Sequence, residues 1–230
     1  MVKTAIISAT NANRLFWLGR YEQRVYITLH ILRKCYDKMI DGSPEDYLSF
    51  WQKLDAGQSY SSEEEFTLGM MYDESNPCSI ISALHRAMDN AMMLRENITS
   101  ETLSYLEMSL SFMKTAKRDN ITNITSLQQI TDWSLAFWGS AEQRIYNNKV
   151  LNIMHIGQNI ENIDMLLRFN YPFERILVSF NALKKIFTTC NGLIDTQVLS
   201  HMEDLLTEEK FCASDTKGTL LKLCNILVRV

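Results

Sequence analysis

Apolar side chains recur at intervals of three and four near the start of the chain. Leu15, Leu18, Val25, Leu29, Leu32 and Tyr36 fall on one face of a helix, and Glu22 sits in the middle of that face. Projected at roughly 100° per residue, Trp17, Arg20, Arg24, Ile27, Ile31 and Cys35 fall on the opposite side, with Arg20 and Arg24 one turn apart. Both sides are apolar apart from these charges, which is the pattern of a helix internal to a bundle. A charge held there needs a partner or is heavily penalised. Glu22 and the two arginines point apart on one helix, so their partners are expected on other helices. Three outcomes follow: an ion-pair network that fixes helix register, a functional polar pocket, or side chains that snorkel to solvent.

The same periodicity predicts helices over 9–40, 44–55, 62–73, 78–97, 100–118, 126–146, 148–169, 173–190, 196–206 and 217–229. Ser43-Pro44-Glu45 and Asn76-Pro77 have the N-cap plus first-turn proline pattern of helix starts, and Pro172 opens another periodic segment. The connections, such as DGS at 41–43 and RDNITNITS at 118–126, are short and polar, as between antiparallel neighbours. No linker separates two parts of the chain. EQRVY at 22–26 returns as EQRIY at 142–146, an echo too local to define a repeat. The expectation is an all-α protein: one domain over 1–230, a single-domain bundle of about eight to ten mostly antiparallel helices.

Composition agrees with that. Only 8 Gly and 3 Pro occur in 230 residues, which leaves little turn-rich β structure. The formal charge of -4, the sequence pI near 5.6 and the lack of a basic run oppose a nucleic-acid partner. The start, MVKTAIISATNANR, lacks the long apolar region of a signal peptide. No stretch approaches the ~18 apolar residues of a membrane span. Cys35, Cys78, Cys190, Cys212 and Cys224 are odd in number, widely spaced and without a CxxC pair, which fits reduced thiols and a cytoplasmic location.

Charged positions elsewhere supply candidate partners. In the 78–97 segment Asp89 shares a face with Arg86 and Glu96, while Ala83, Leu84, Ala87, Ala91, Leu94 and Ile98 form the opposite stripe. In the 148–169 segment Glu161, Asp164 and Arg168 line one side with Gly157, and Ile156, Ile160, Ile163 and Leu167 the other. The Asp164 to Arg168 spacing also suits an ordinary surface pair.

Tests for familiar chemistry fail. None of His30, His85, His155 and His201 has an acid three residues before it, which removes the Glu-x-x-His pairs of di-iron bundles. HExxH, GxGxxG, a Walker A loop and G-x-S-x-G are absent as well, so no metal and no cofactor is expected. His155 as an acid or base, Cys35 as a thiol activated by the nearby arginines, and Glu22 with Glu161 as an acid–base pair are the remaining catalytic ideas. The first two have plainer readings, as a partly exposed helix histidine and an inert buried thiol, and the third lacks an identified nucleophile or substrate pocket. The Met pairs 70–71 and 92–93 fill core or offer adaptable surface. Leu220, Leu223, Ile226 and Leu227 near the end cap the core or dock on a partner.

W-L-G-R-Y-E-Q-R at 17–24 resembles the W-x-G-R-Y-x-E-R signature of the bacterial Alpha-E family. A-M-D-N-A-M-M-L-R-E at 87–96 with T-S-E at 99–101 is similar to that family's second block, A-R-E-N-A-R-x-V-R-E followed by S-S-E. I-G-Q-N-I-E-N-I at 156–163 resembles its third, L-G-R-x-L-E-R-A. By position the chain keeps Trp17, Gly19, Arg20, Tyr21, Arg24, Asp89 as the acid, Asn90, Arg95, Glu96, Glu101, Gly157 and Glu161. It departs at Gln23, where the signature has Glu, at Met88 and Met92, and at Gln158 and Asn162, where arginines are usual.

The resemblance implies a setting beside circularly permuted ATP-grasp and transglutaminase-like proteins, hence near amide or peptide bond formation. The expected role is a helical accessory or partner protein of an ATP-grasp-like ligase, with self-association as another mode. A buried Glu/Arg network would shape the bundle or a joint pocket. One alternative is an enzyme of peptide or amino-acid amide metabolism in which Arg20 and Arg24 clamp a carboxylate and Glu22 or Glu161 moves protons. Another is a degenerate scaffold that has lost several motif charges.

Overall fold

In a computed structural model the described residues are 7–41, 46–54, 60–187, 192–213 and 215–229. Their α-helices, in chain order, are α1 (Ala9–Ile40), α2 (Asp46–Leu54), α3 (Glu63–Tyr72), α4 (Ile80–Met93), α5 (Ser100–Arg118), α6 (Gln128–Arg144), α7 (Asn148–Arg168), α8 (Phe173–Phe187), α9 (Thr196–Leu205), α10 (Glu208–Phe211) and α11 (Thr216–Ile226). A short 3-10 turn, Ile124–Leu127, leads into α6. No strand occurs among the described residues, only an isolated antiparallel bridge between Ile194 and Val228. The protein is an all-α helical bundle.

Local chemistry explains where the helices stop. Arg118-Asp119-Asn120-Ile121 and Arg168-Phe169-Asn170-Tyr171 end α5 and α7 in the same way. Asn120 and Asn170 adopt φ of 52° and 53°. The next N–H then turns back to a carbonyl in the last turn, Ile121 to Ala116 and Tyr171 to Leu166, each at 2.9 Å. Asparagine is the non-glycine residue best able to take that left-handed conformation. The Asn76-Pro77 start is corrected: Ser79 caps α4 by accepting the Ser82 N–H, and Asn76 instead accepts the Cys78 N–H in the preceding turn. Ser43-Pro44-Glu45, the end of the 173–190 segment and Cys190 lie outside the described residues.

The chain divides into two compact units, one formed by Tyr21–Tyr146 and the other by Met1–Arg20 with Asn147–Val230. In the discontinuous unit α7 packs on α8 and α11 and is enclosed on both sides. Ile156, Ile160, Ile163 and Leu167 are buried, and so are Gly157, Glu161 and Asp164 opposite them. Leu220, Leu223 and Leu227 are also buried, whereas Ile226 is exposed. In the continuous unit α5 packs on α4 and α6, and α3 on α4. The small stripe Ala83, Leu84, Ala87, Ala91, Leu94 and Ile98 is buried there. Met70 and Met71 are core, but Met92 and Met93 are exposed.

Candidate functional site

The site begins with two glycines. A Cβ added to Gly19 would lie 2.0 Å from the Met154 carbonyl oxygen, and one added to Gly157 would lie 2.1 Å from the Phe16 carbonyl oxygen. Backbone therefore meets backbone where α1 crosses α7, a distance only glycine permits on either side. One residue after Gly19 and one turn after Gly157, the approach brings Arg20 to Glu161. Arg20 Nε donates to Glu161 Oε2 at 2.8 Å, with Arg20 5% and Glu161 0% exposed. The guanidinium also lies over the Trp17 ring at 5.0 Å and the Phe16 ring at 5.9 Å. Four motif residues, Trp17, Gly19, Gly157 and Glu161, are thus organised around Arg20.

A second pair continues along α7. Arg168 Nε donates to Asp164 Oδ2 at 2.7 Å, and Asp164 is buried, so this is not the solvent-exposed pair that the spacing alone allows. Cys224 from α11 stands near both pairs. Burial pushes its thiol up to about 12, with Asp164 and Glu161 raising it and Arg20 and Arg168 opposing them. Such a thiol stays protonated at neutral pH. The sequence marks Cys224 only as one of five widely spaced cysteines, with nothing to place it beside charges.

Glu22 has different company. It is 1% exposed, and burial raises its carboxyl to about 8, while the neighbouring Ser134 and Trp138 side chains of α6 pull the other way. Within its own unit each carboxylate has a polar neighbour: Arg20 beside Glu161, and Ser134 beside Glu22. Arg24 is half-buried, and Gln23, at the signature's Glu position, is buried. Cys35 is buried.

The second motif block is more open. Arg86 lies over the Tyr21 ring at 5.7 Å, and Asn90 Nδ2 donates to the Arg86 carbonyl at 3.0 Å. Asp89, Arg95 and Glu96 are exposed. Of the shared face of Arg86, Asp89 and Glu96, the Glu96 part is corrected, because α4 ends at Met93 and the chain turns: the N–H of Leu94 bonds to Ala91 and that of Asn97 to Leu94. Glu101 meets Arg144 at 3.5 Å on the surface. Its carboxyl is held below the usual range by its own backbone N–H first, then by Thr99 and Arg144.

At the third block, Gln158 hydrogen-bonds His155 Nδ1 at 2.8 Å, and Asn162 Nδ2 donates to Ser179 Oγ of α8 at 2.8 Å. The two residues that replace arginines in this block therefore make contacts through their side-chain amides. A cleft of about 290 Å³ in the continuous unit is lined by Tyr36, Glu63, Glu64, Thr67, Leu68 and Thr122, and by no motif residue. Among the described residues no three His, Cys, Asp or Glu side chains converge as a metal site, and no helix is long and apolar enough to cross a membrane.

Fold and site together define a class: an all-α protein that buries an arginine–glutamate pair at a glycine-lined helix crossing. The family model of Alpha-E, a predicted alpha-helical domain with a conserved ER motif, matches residues 8–188 of this 230-residue chain. The chain belongs to the Alpha-E family. No curated protein and no solved structure matches it.

Proposed function

We propose that this chain is a non-catalytic helical partner of an ATP-grasp-type amide or peptide ligase, in which the Glu/Arg framework maintains the shape that the partner recognises. The observation that carries the reading is the use made of the motif residues. Gly19, Gly157, Arg20 and Glu161 form a sealed helix crossing, and a carboxylate clamp would instead need Arg20 turned toward a ligand. Arg20 Nε is already committed to Glu161, and the guanidinium lies over two aromatic rings. The ligase as partner rests on the setting that the Alpha-E resemblance implies.

Co-expression with a circularly permuted ATP-grasp protein of the kind that the resemblance implies tests the reading. The expected outcome is co-elution on size exclusion and a ligase whose amide-forming rate depends on this chain. A ligase fully active alone that does not bind the chain overturns the proposal, as does amide-bond chemistry by the purified chain itself.

A further inference from the structure

Polar atoms that have lost water without gaining a partner are rare in folded proteins, and each destabilises the contact that encloses it. Here they fall on two helices. Glu22 Oε2, Arg33 Nε, Arg33 Nη2 and Thr131 Oγ1 are buried without a hydrogen-bond partner among the described residues, and all lie on α1 or α6 within the continuous unit. The two helices meet along a polar seam. At one end Arg33 Nη1 donates to the Gln128 side-chain oxygen, and Gln128 passes its own amide hydrogen to Asp132 at 2.8 Å. At the other end Ser134 and Trp138 reach Glu22. Gln128, Thr131, Ser134 and Trp138 recur at three- and four-residue steps, so α6 turns one polar stripe toward α1.

Among the described residues no cation acts on Glu22. On its own helix Arg20 is paired with Glu161, Arg24 projects to the opposite side, and Arg33 lies three turns further on, bonded to Gln128. On α6 the charged residues Asp132, Glu142 and Arg144 are exposed, and on α4 Arg86 lies over Tyr21. The influences on the Glu22 carboxyl are burial and two neutral side chains. A carboxylate in that position would be a buried charge without a counter-ion, which is far less tolerable than a carboxylic acid that retains an O–H donor.

We infer that Glu22 is held as a neutral carboxylic acid and acts as a proton-operated latch on the packing of α1 against α6. With the proton in place the seam stays shut. When the proton leaves, the carboxylate needs water, and the under-bonded seam is the contact that gives way. The sign follows from linkage: the folded chain keeps a proton that the unfolded chain releases at ordinary carboxylate pH, so stability falls as pH rises. The window runs from the ordinary range up to the raised value near 8, and above it the full penalty is present. Because the proposal concerns the protein's own packing, it stands or falls independently of any ligase.

Hydrogen exchange of α6 amides, followed from about pH 6 to about pH 10 and corrected for intrinsic base catalysis, tests it in the full chain. The wild type is expected to open more often by on the order of tenfold per pH unit up to a midpoint near 8. Glu22→Gln is expected to flatten that dependence, and Trp138→Phe to remove the accompanying change in tryptophan emission. Should Glu22→Gln fail to fold, the infrared carbonyl band of protonated Glu22 in the wild type, present at neutral pH and lost above about pH 9, supports the same conclusion. A carboxylate already ionised at pH 7, or an α6 exchange profile unchanged in Glu22→Gln, overturns it.

Discussion

Gly157→Ala places a methyl group 2.1 Å from the Phe16 carbonyl oxygen, and neither that oxygen nor the α7 backbone can swing aside as a side chain would. Alanine improves helix propensity by about 1 kcal/mol, but overpacking against backbone costs ~1–3 kcal/mol or more and also pulls Arg20 from Glu161. Net destabilisation is expected in urea melts of the alanine variant. Glu161→Gln is expected to cost about 3–5 kcal/mol, because it leaves a guanidinium buried without its counter-charge. The double replacement Arg20→Met with Glu161→Leu should cost much less than the sum of the single changes, a coupling read by a double-mutant cycle. A strictly additive cycle would mean that the pair contributes no more than its two separate side chains. At this scale the sequence reveals direction better than company. Helical projection separates Glu22 from Arg20, and the structure has them on α6 and α7 partners respectively. Ser134, Trp138 and Cys224 carry no sequence signal, because their roles arise only from tertiary placement.

Helices are where the sequence is most legible, and the reason is visible at their ends. α5 begins where Thr99 accepts the Thr102 N–H at 3.3 Å, and the Thr102 hydroxyl continues to Ser140 Oγ of α6 at 2.9 Å. Thr99→Ala should cost ~1 kcal/mol, while Thr99→Ser should restore nearly all of it. Thermal melts of the two variants distinguish a capping hydroxyl from a packing methyl. The helix starts and stops that are misplaced in sequence have separate causes. Leu94 and Ile98 prolong the apolar stripe beyond α4, yet both belong to the turn that follows, where burial without helix satisfies the same periodicity. α10, Glu208–Phe211, is too short to show any period, so it goes unseen. Asn76-Pro77 looks like a helix start because an asparagine turn and an N-cap use the same side-chain oxygen.

For the whole molecule, the division into units cuts through the middle of a helix. The apolar periodicity of 15–36 runs unbroken across Arg20 and Tyr21, so nothing in the sequence marks the place where the units separate. One consequence is that residues 147–230 are not self-sufficient. Without the first part of α1, Gly157 loses the backbone packed on it and Glu161 its cation. An isolated 147–230 fragment is expected to lack a cooperative thermal transition by circular dichroism, and a sharp transition in it would contradict this view of the crossing.

The wide separation of the crossing in sequence also sets a schedule. Arg20 and Glu161 are 141 residues apart, so at about 5–20 residues per second the ribosome delivers the glutamate roughly 7–30 s after the arginine. Tyr21–Tyr146 is contiguous and emerges within that interval, whereas the N-terminal turns of α1 must wait with an exposed glycine face and an unmatched guanidinium. The helix crossing therefore cannot close until the whole continuous unit has been made, which leaves that glycine face uncovered on the nascent chain throughout the interval.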